Sequence, residues 1–187
     1  MKRIALPLGL ALALSCSAAL AGPQVALTTS MGRIVLELDD VKAPISTANF
    51  LEYVRSGHYD GLIFHRVINN FMIQGGGMTP DMREAPLRAP IQNEASNGVK
   101  NTRYSVAMAR TPNPHSATAQ FFINVQDNGF LNHTAATSQG WGYAVFGQVV
   151  QGREVVDKIK AVPTTQRGPH RDVPVQPIII QKAEVLQ

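Results

Sequence analysis

The protein has 187 residues, a formal net charge of +4, one cysteine and 44% hydrophobic residues. The charge falls to +2 once Lys2 and Arg3 are set aside, because no acidic residue precedes Glu37. No run of Lys and Arg indicates a nucleic-acid or membrane-surface patch, and a chain of this length suits one domain.

The first 21 residues have the features of a secretory signal. Lys2 and Arg3 give a positive start, residues 4–14 are mostly apolar, and small residues lead to Ala19-Leu20-Ala21. A signal peptide has this order of charge, apolar stretch and small-residue cleavage site. The apolar run is short for a membrane-spanning helix, which needs roughly 20 residues.

Cleavage after Ala21 predicts a mature domain of residues 22–187, exported to a bacterial periplasm and without stable membrane insertion. Two alternatives stay open: an uncleaved anchor, and a lipoprotein anchored at Cys16, where Ala13-Leu14-Ser15 loosely match a lipoprotein cleavage site. Cleavage after Ala21 would leave no cysteine, so the fold would depend on its core alone.

The start of the mature chain predicts a β-hairpin and then a helix. Residues 25–29 and 33–38 are rich in β-branched and apolar residues and flank a turn that contains Gly32. A helix is predicted over 43–56, since Pro44 is tolerated in a first turn and Gly57 is a suitable stop. Its spacing predicts a buried stripe of Ile45, Ala48, Leu51 and Val54.

The remainder of the chain predicts short strands and one more helix. The helix covers about 153–160, with Val155, Val156 and Ile159 inward. Apolar runs punctuated by Gly and Pro lie at 63–68, 71–74, 105–109, 120–125, 143–150, 177–181 and 183–186. Many short strands with two helices predict a mainly β fold, either a closed antiparallel barrel or a sandwich.

Two of these strands have one mixed face. Alternation places Met72 beside Gln74 and Gln120 beside Phe122, while the opposite faces are wholly apolar. A few polar groups on an apolar surface are typical of a ligand pocket. Ordinary half-exposed glutamines would give the same pattern, and Arg66 could equally be a surface cation, so the residues alone do not name a reaction.

Common catalytic signatures are absent from the sequence. The mature chain has no cysteine nucleophile and no Gly-x-Ser-x-Gly elbow, and the five histidines lack metal-ligand spacing. Gly75-Gly76-Gly77 lacks the lysine and hydroxyl of a phosphate loop, so it predicts a tight turn. We therefore expect no metal and no cofactor.

Several blocks of the sequence closely resemble the cyclophilins. They are the segment 64–76 (FHRVINNFMIQGG), Met108-Ala109, residues 120–123 (QFFI) and residues 145–149 (VFGQV). The blocks keep the family order and nearly the family spacing over the whole mature chain. With the exported start, the chain looks most like the periplasmic bacterial branch of this family.

The resemblance implies a closed eight-stranded antiparallel β-barrel capped by two α-helices, with an active cleft on its outer face. It implies peptidyl-prolyl cis-trans isomerase activity during the folding of exported proteins. The partners would be proline-containing, unfolded or partly folded exported polypeptides, acted on by a monomer without nucleic acid. A non-catalytic proline-binding chaperone is the main rival, since it would need the pocket but not the arginine.

Site residues carried over from the resemblance fall into two groups. Arg66 and Gln74 would be catalytic, with Gln74 positioning Arg66 and the substrate. The substrate-binding residues would be Phe71, Met72, Ala109, Arg110, Gln120, Phe122, Phe130, Leu131 and Tyr143.

The sequence departs from many eukaryotic members at three site positions. Phe130 stands where they have tryptophan, Tyr143 where they have histidine, and Arg110 where they have asparagine. Asn69-Asn70 also replaces the more usual Pro-Gly. Without the tryptophan that would hydrogen-bond it, cyclosporin is expected to bind weakly.

Overall fold

The computed structural model describes residues 22–186, so the signal segment and Cys16 lie outside the described residues. The strands are β1 Gln24–Thr29, β2 Gly32–Leu38, β3 Ile63–Ile68, β4 Met72–Gly75, β5 Ser105–Met108, β6 Phe121–Asn124, β7 Val145–Gln151, β8 Thr164–Arg167, β9 His170–Pro174 and β10 Ile178–Leu186. The helices are α1 Pro44–Arg55 and α2 Arg153–Lys160. Neither helix combines the length and apolar character needed to span a bilayer.

Eight of the strands form a closed antiparallel barrel in the order β1-β10-β3-β4-β6-β5-β7-β2. The barrel expected from the resemblance is therefore confirmed, and the sandwich alternative is wrong. The remaining strands, β8 and β9, form a separate two-stranded sheet. Sequence periodicity did not predict this hairpin, because β8 (TTQR) has no apolar alternation and is mostly exposed.

The barrel interior is filled by the wholly apolar faces of the strands. Ile73 on β4 and Phe121 and Ile123 on β6 are fully buried in the main core. Helix α2 adds the three inward residues predicted for it, which are Val155, Val156 and Ile159. Alternation along β4 and β6 consequently leaves Met72, Gln74 and Phe122 on the other side of the sheet, where the cleft lies.

Helix α1 forms where it was predicted, but part of its predicted buried stripe is wrong. Leu51 and Val54 are buried, whereas Ala48 is exposed and Ile45 is 41% exposed. The buried face is centred instead on Phe50 and its neighbours, and the Phe50 ring packs 5.4 Å from that of Phe121. The two aromatic residues of the helix, Phe50 and Tyr53, are at most 1% exposed, and their burial turns Ile45 and Ala48 toward solvent.

Candidate active site

A pocket of about 240 Å³ opens on the outer surface of the barrel, across β3, β4 and β6. It collects residues from six separate stretches of chain, and its lining consists of Arg66, Phe71, Met72, Gln74, Ala109, Arg110, Phe122, Leu131 and Tyr143. All were named from the sequence, and of the named residues only Gln120 and Phe130 lie outside this lining. The small volume suits a single ring better than a drug-sized ligand.

The floor and walls of the pocket form a second apolar cluster, separate from the barrel core. Met72, Phe122 and Leu131 are at most 8% exposed and pack with buried Ala107 and Val145. Because these side chains are already packed against each other, the shape of the pocket is fixed before any ligand arrives. An apolar ring that enters it loses contact with water without requiring the walls to move.

Arg66 lies at the edge of this apolar pocket, opposite Gln74 in the β3–β4 register. Its side chain is 43% exposed, and its Nε is 3.8 Å from Oδ2 of Asp172. The Gln74 amide does not bind Arg66 here: its Nε2 donates to Oε1 of Gln120 at 2.8 Å. The guanidinium therefore keeps donors available for a ligand, since it carries five N–H groups.

Gln120 and Phe130 are next to the pocket rather than in its lining. Gln120 borders an adjoining cavity of about 460 Å³, which shares Arg66 and Gln74 with the pocket. Phe130 is 74% exposed and stacks on Phe71 with ring centroids 5.6 Å apart. An aromatic ring so exposed has apolar area that a bound chain could cover.

Arg110 and Tyr143 form the other end of the pocket. The Arg110 guanidinium lies 4.6 Å from the centroid of the Tyr143 ring, and its Nε donates to the carbonyl of Gly142 at 2.9 Å. Tyr143 in turn meets Phe122 edge-on at 5.7 Å. These two contacts hold the Arg110 side chain at the wall of the pocket, so this departure from the family pattern does not block the pocket.

A buried asparagine network supports the pocket, and sequence reasoning missed it. Asn128 Nδ2 donates to the carbonyl of Phe71 at 2.8 Å and to Oδ1 of Asn124 at 2.7 Å. Asn101 Nδ2 lies 3.3 Å from the carbonyl of Leu131, within hydrogen-bonding distance. Buried amides in β-rich proteins are normally fully bonded, so a strand ending in Asn124 could have indicated such a network.

His65, adjacent to Arg66 on β3, is buried beneath the adjoining cavity that Arg66 and Gln120 also line. It is 6% exposed, and its Nδ1 has no hydrogen-bond partner among the described residues. Burial lowers the pKa of His65 to about 4. The His65 side chain is therefore neutral near pH 7.

A larger groove among the described residues lacks this combination of groups. A groove of about 590 Å³ beside α1 is lined largely by apolar atoms, with Glu52 and Arg88 at its edge. Within residues 22–186, no three His, Cys, Asp or Glu side chains are grouped so as to hold a metal ion. The smaller pocket at Arg66 is therefore the candidate site because of its lining, which combines apolar side chains with an arginine and a glutamine, and not because of its size.

The sequence was compared with protein families and with known proteins, and the matches agree on one family. Residues 24–185 match the family model described as cyclophilin type peptidyl-prolyl cis-trans isomerase/CLD. Peptidyl-prolyl cis-trans isomerase cyp18 of Streptomyces antibioticus is 66% identical over 87% of this chain and 98% of its own length. Peptidyl-prolyl cis-trans isomerase B of Escherichia coli is 56% identical over 86% of this chain and 98% of its own.

Solved structures agree with the fold. A cyclophilin type peptidyl-prolyl cis-trans isomerase of Cryptosporidium parvum superposes with a TM-score of 0.72 at 26% identity, covering 88% of this chain and 98% of its own. A second structure of that protein, obtained in the presence of the dipeptide Ala-Pro, gives a TM-score of 0.71 and covers 99% of its own chain.

Proposed function

Because this chain belongs to the cyclophilin-type peptidyl-prolyl cis-trans isomerase family and is itself such an isomerase, we propose that it acts on exported polypeptides in a bacterial periplasm, with Arg66 as its catalytic group. The observation that carries the catalytic assignment is the position of Arg66 at the rim of a preformed apolar pocket, with Gln74 alongside. The pocket holds the prolyl ring, and the guanidinium acts on the bond next to it.

The reaction needs selective stabilisation of a twisted amide. Resonance between the nitrogen lone pair and the carbonyl opposes rotation by about 18–20 kcal/mol, and uncatalysed X-Pro exchange takes tens to hundreds of seconds. No bond to the substrate has to form or break. The enzyme has only to bind the twisted state more tightly than either planar isomer.

Arg66 supplies that preference through a hydrogen bond. When the amide twists, the prolyl nitrogen becomes pyramidal and regains its lone pair, which a guanidinium N–H can then approach. A hydrogen bond from a charged donor contributes about 1.5–3 kcal/mol. Each 1.36 kcal/mol gained only in the twisted state raises the rate roughly tenfold, so Arg66 accounts for a rate acceleration of about ten- to a hundredfold.

The apolar pocket supplies the remaining acceleration. Phe71, Met72 and Phe122 hold the ring while the carbonyl of the preceding residue swings. Gln74 and Gln120, joined by their own hydrogen bond, form a polar edge along which the substrate backbone lies, with the backbone at Ala109 and Arg110 on the other side. Proline-containing segments of unfolded or partly folded chains are accessible enough to enter such a shallow site.

Export depends on the first 21 residues. The family match begins at residue 24, so the segment with the charge and cleavage pattern of a signal lies outside the matched enzyme domain. The mature enzyme, residues 22–187, then meets its clients while they fold after crossing the membrane, when X-Pro bonds of both isomers are present. We place it in the periplasmic bacterial branch of the family, as a monomer.

Two measurements test this proposal. Mass spectrometry of the protein recovered from the periplasm of an expressing bacterium should give a chain that begins at Gly22, and Ala21→Asp should block that cleavage. A chain of full length in the cytoplasm would contradict export, and a diacylglycerol adduct at Cys16 would favour the lipoprotein alternative. Refolding of an exported protein limited by an X-Pro bond should accelerate in proportion to added enzyme.

A further inference from the structure

Asp172 on β9 is the acidic neighbour of Arg66. Its Oδ2 lies 3.8 Å from Arg66 Nε, and the two side chains are 40% and 43% exposed. Both residues also line the adjoining cavity of about 460 Å³. Within residues 22–186, Asp172 is the only carboxylate at ion-pair distance from this guanidinium.

The β8–β9 hairpin places Asp172 by an irregular backbone. Thr165 pairs with Val173 and Arg167 pairs with His170, so the two residues Arg171 and Asp172 stand opposite the single residue Gln166. Asp172 has φ of +60°, which few residues other than glycine, asparagine and aspartate adopt. Bulges of this kind re-aim side chains and are frequent next to active sites.

The hairpin is anchored on both sides of this irregularity. Val173, directly after Asp172, is 1% exposed and packs into the protein. On the neighbouring strand, Arg167 Nη1 donates to the carbonyl of Pro80 at 3.1 Å. The carboxylate therefore sits on a fixed backbone, and its distance from β3 does not depend on a loose loop.

We propose that Asp172 is a positioning residue that acts on the substrate only through Arg66; this inference rests on the catalytic role proposed above for Arg66. The carboxylate attracts the guanidinium at its Nε edge, which leaves the terminal NH₂ groups free to point toward the prolyl nitrogen. Gln74 does not serve this purpose here, since its amide is bonded to Gln120. The bulged hairpin is thereby part of the catalytic apparatus, although it lies outside the barrel.

A purely structural ion pair would behave differently. Exposed pairs contribute little to folding stability, so removing the charge of Asp172 would leave both stability and turnover nearly unchanged. A contact between Asp172 and substrate would change KM and would persist without Arg66. If Asp172 positions Arg66, removing its charge should lower kcat and leave KM nearly constant. This effect on kcat should disappear when Arg66 is absent.

The test uses Asp172→Asn in the mature enzyme with a chromogenic X-Pro peptide. Asparagine tolerates positive φ, so this change removes the charge without straining the hairpin, and Asp172→Gly is a second variant that keeps the backbone. We expect kcat to fall about two- to fivefold, the range available to an exposed ion pair, with KM within about twofold of wild type.

Glu52→Gln is the matched control, because Glu52 also forms an exposed pair with an arginine, Arg88, but lies on α1 away from the pocket. It should keep full activity. In an Arg66→Ala background, Asp172→Asn should cause no further loss. Full activity of Asp172→Asn, or an equal loss with and without Arg66, would overturn the proposal, while near-normal turnover of Arg66→Ala alone would overturn the function assigned to Arg66.

Discussion

The side-chain amide of Gln74 donates a hydrogen bond to that of Gln120 across β4 and β6, over 2.8 Å. This bond joins two groups that lie on separate segments of the sequence into one polar edge between the pocket at Arg66 and the adjoining cavity. Because the bond satisfies each amide in part, the remaining donor and acceptor of each point in defined directions. A substrate backbone would meet an ordered edge instead of two freely rotating side chains.

Gln120→Ala should therefore lower kcat/KM by about two- to tenfold, since one hydrogen bond is worth roughly 0.5–1.5 kcal/mol. The thermal midpoint should hardly change, because the lost side chain is only half-buried. A protease-coupled isomerisation assay measures the effect. Gln148→Ala on β7, an exposed glutamine outside the pocket lining, is the control and should match wild type; equal activity of both variants would exclude the role given to Gln120.

The glycine run beside the site predicts two opposite outcomes. A Cβ on Gly77 would lie 2.5 Å from the Gln120 side chain, which can swing away, so Gly77→Ala should keep its stability but lose activity as Gln120→Ala does. A Cβ on Gly76 would lie 2.7 Å from the fully buried Tyr59 ring, at φ of +83°. Gly76→Ala should thus lower the free energy of unfolding by about 1–3 kcal/mol.

Denaturant unfolding and kcat/KM, measured on both glycine variants, separate these effects. Loss of stability in Gly77→Ala together with full activity would show that the backbone, and not Gln120, absorbs the added methyl group.

The buried His65 predicts a loss of stability in acid. Its pKa is lowered from 6.5 to about 4, chiefly by burial. Between these pH values the unfolded chain binds a proton that the folded chain does not, so the free energy of unfolding should fall as pH drops from about 6.5 to 4. The full difference is roughly 3 kcal/mol.

Urea unfolding at pH 7, 5.5 and 4.5 measures this slope. His65→Gln should flatten it, with a residual slope of the same sign because burial also lowers the pKa of His58. An unchanged slope in His65→Gln would mean that other groups govern the acid response.

The exposed position of Phe130 predicts that a substitution there can raise the affinity for cyclosporin. Because its ring is 74% exposed, Phe130→Trp should fold normally while adding an indole N–H donor. Cyclosporin should bind weakly to wild type and about two- to tenfold more tightly to the variant, the range for one hydrogen bond. Titration calorimetry with Phe130→Leu as control checks this; nanomolar binding to wild type would contradict the expectation.

Local patterns in the sequence were sufficient for much of this fold. The alternation along β4 and β6 separates core from cleft, and the spacing of α2 identifies its three buried residues. The predicted buried face of helix α1 was partly wrong, because apolar spacing alone does not distinguish a buried aromatic such as Phe50 from the exposed Ile45. The strand pattern left a closed barrel and a sandwich equally open, and only the family resemblance favoured the barrel, since strand order is a non-local property.

The sequence predicted the residues that line the candidate site, but not the residues that hold them in place. The pocket residues belong to blocks that resemble a known family, and the structure brings most of them together. Asp172 and Asn128 are far in sequence from the residues that they contact. Asp172, which lies near Arg66, belongs to a hairpin without apolar periodicity, and Asn128 is bonded to a carbonyl 57 positions away. No local signal connects such residues to Arg66 or Phe71.

Turnover of Arg66→Ala, measured together with peptide binding, tests the central assignment most directly. We expect kcat for an X-Pro peptide to fall by about ten- to a hundredfold, while a proline peptide still binds with an affinity near that of wild type because the apolar pocket is intact. Arg66→Lys, which keeps the charge but not the planar fork, should lie between the two. Near-normal kcat in Arg66→Ala would show that Arg66 is not the catalytic group.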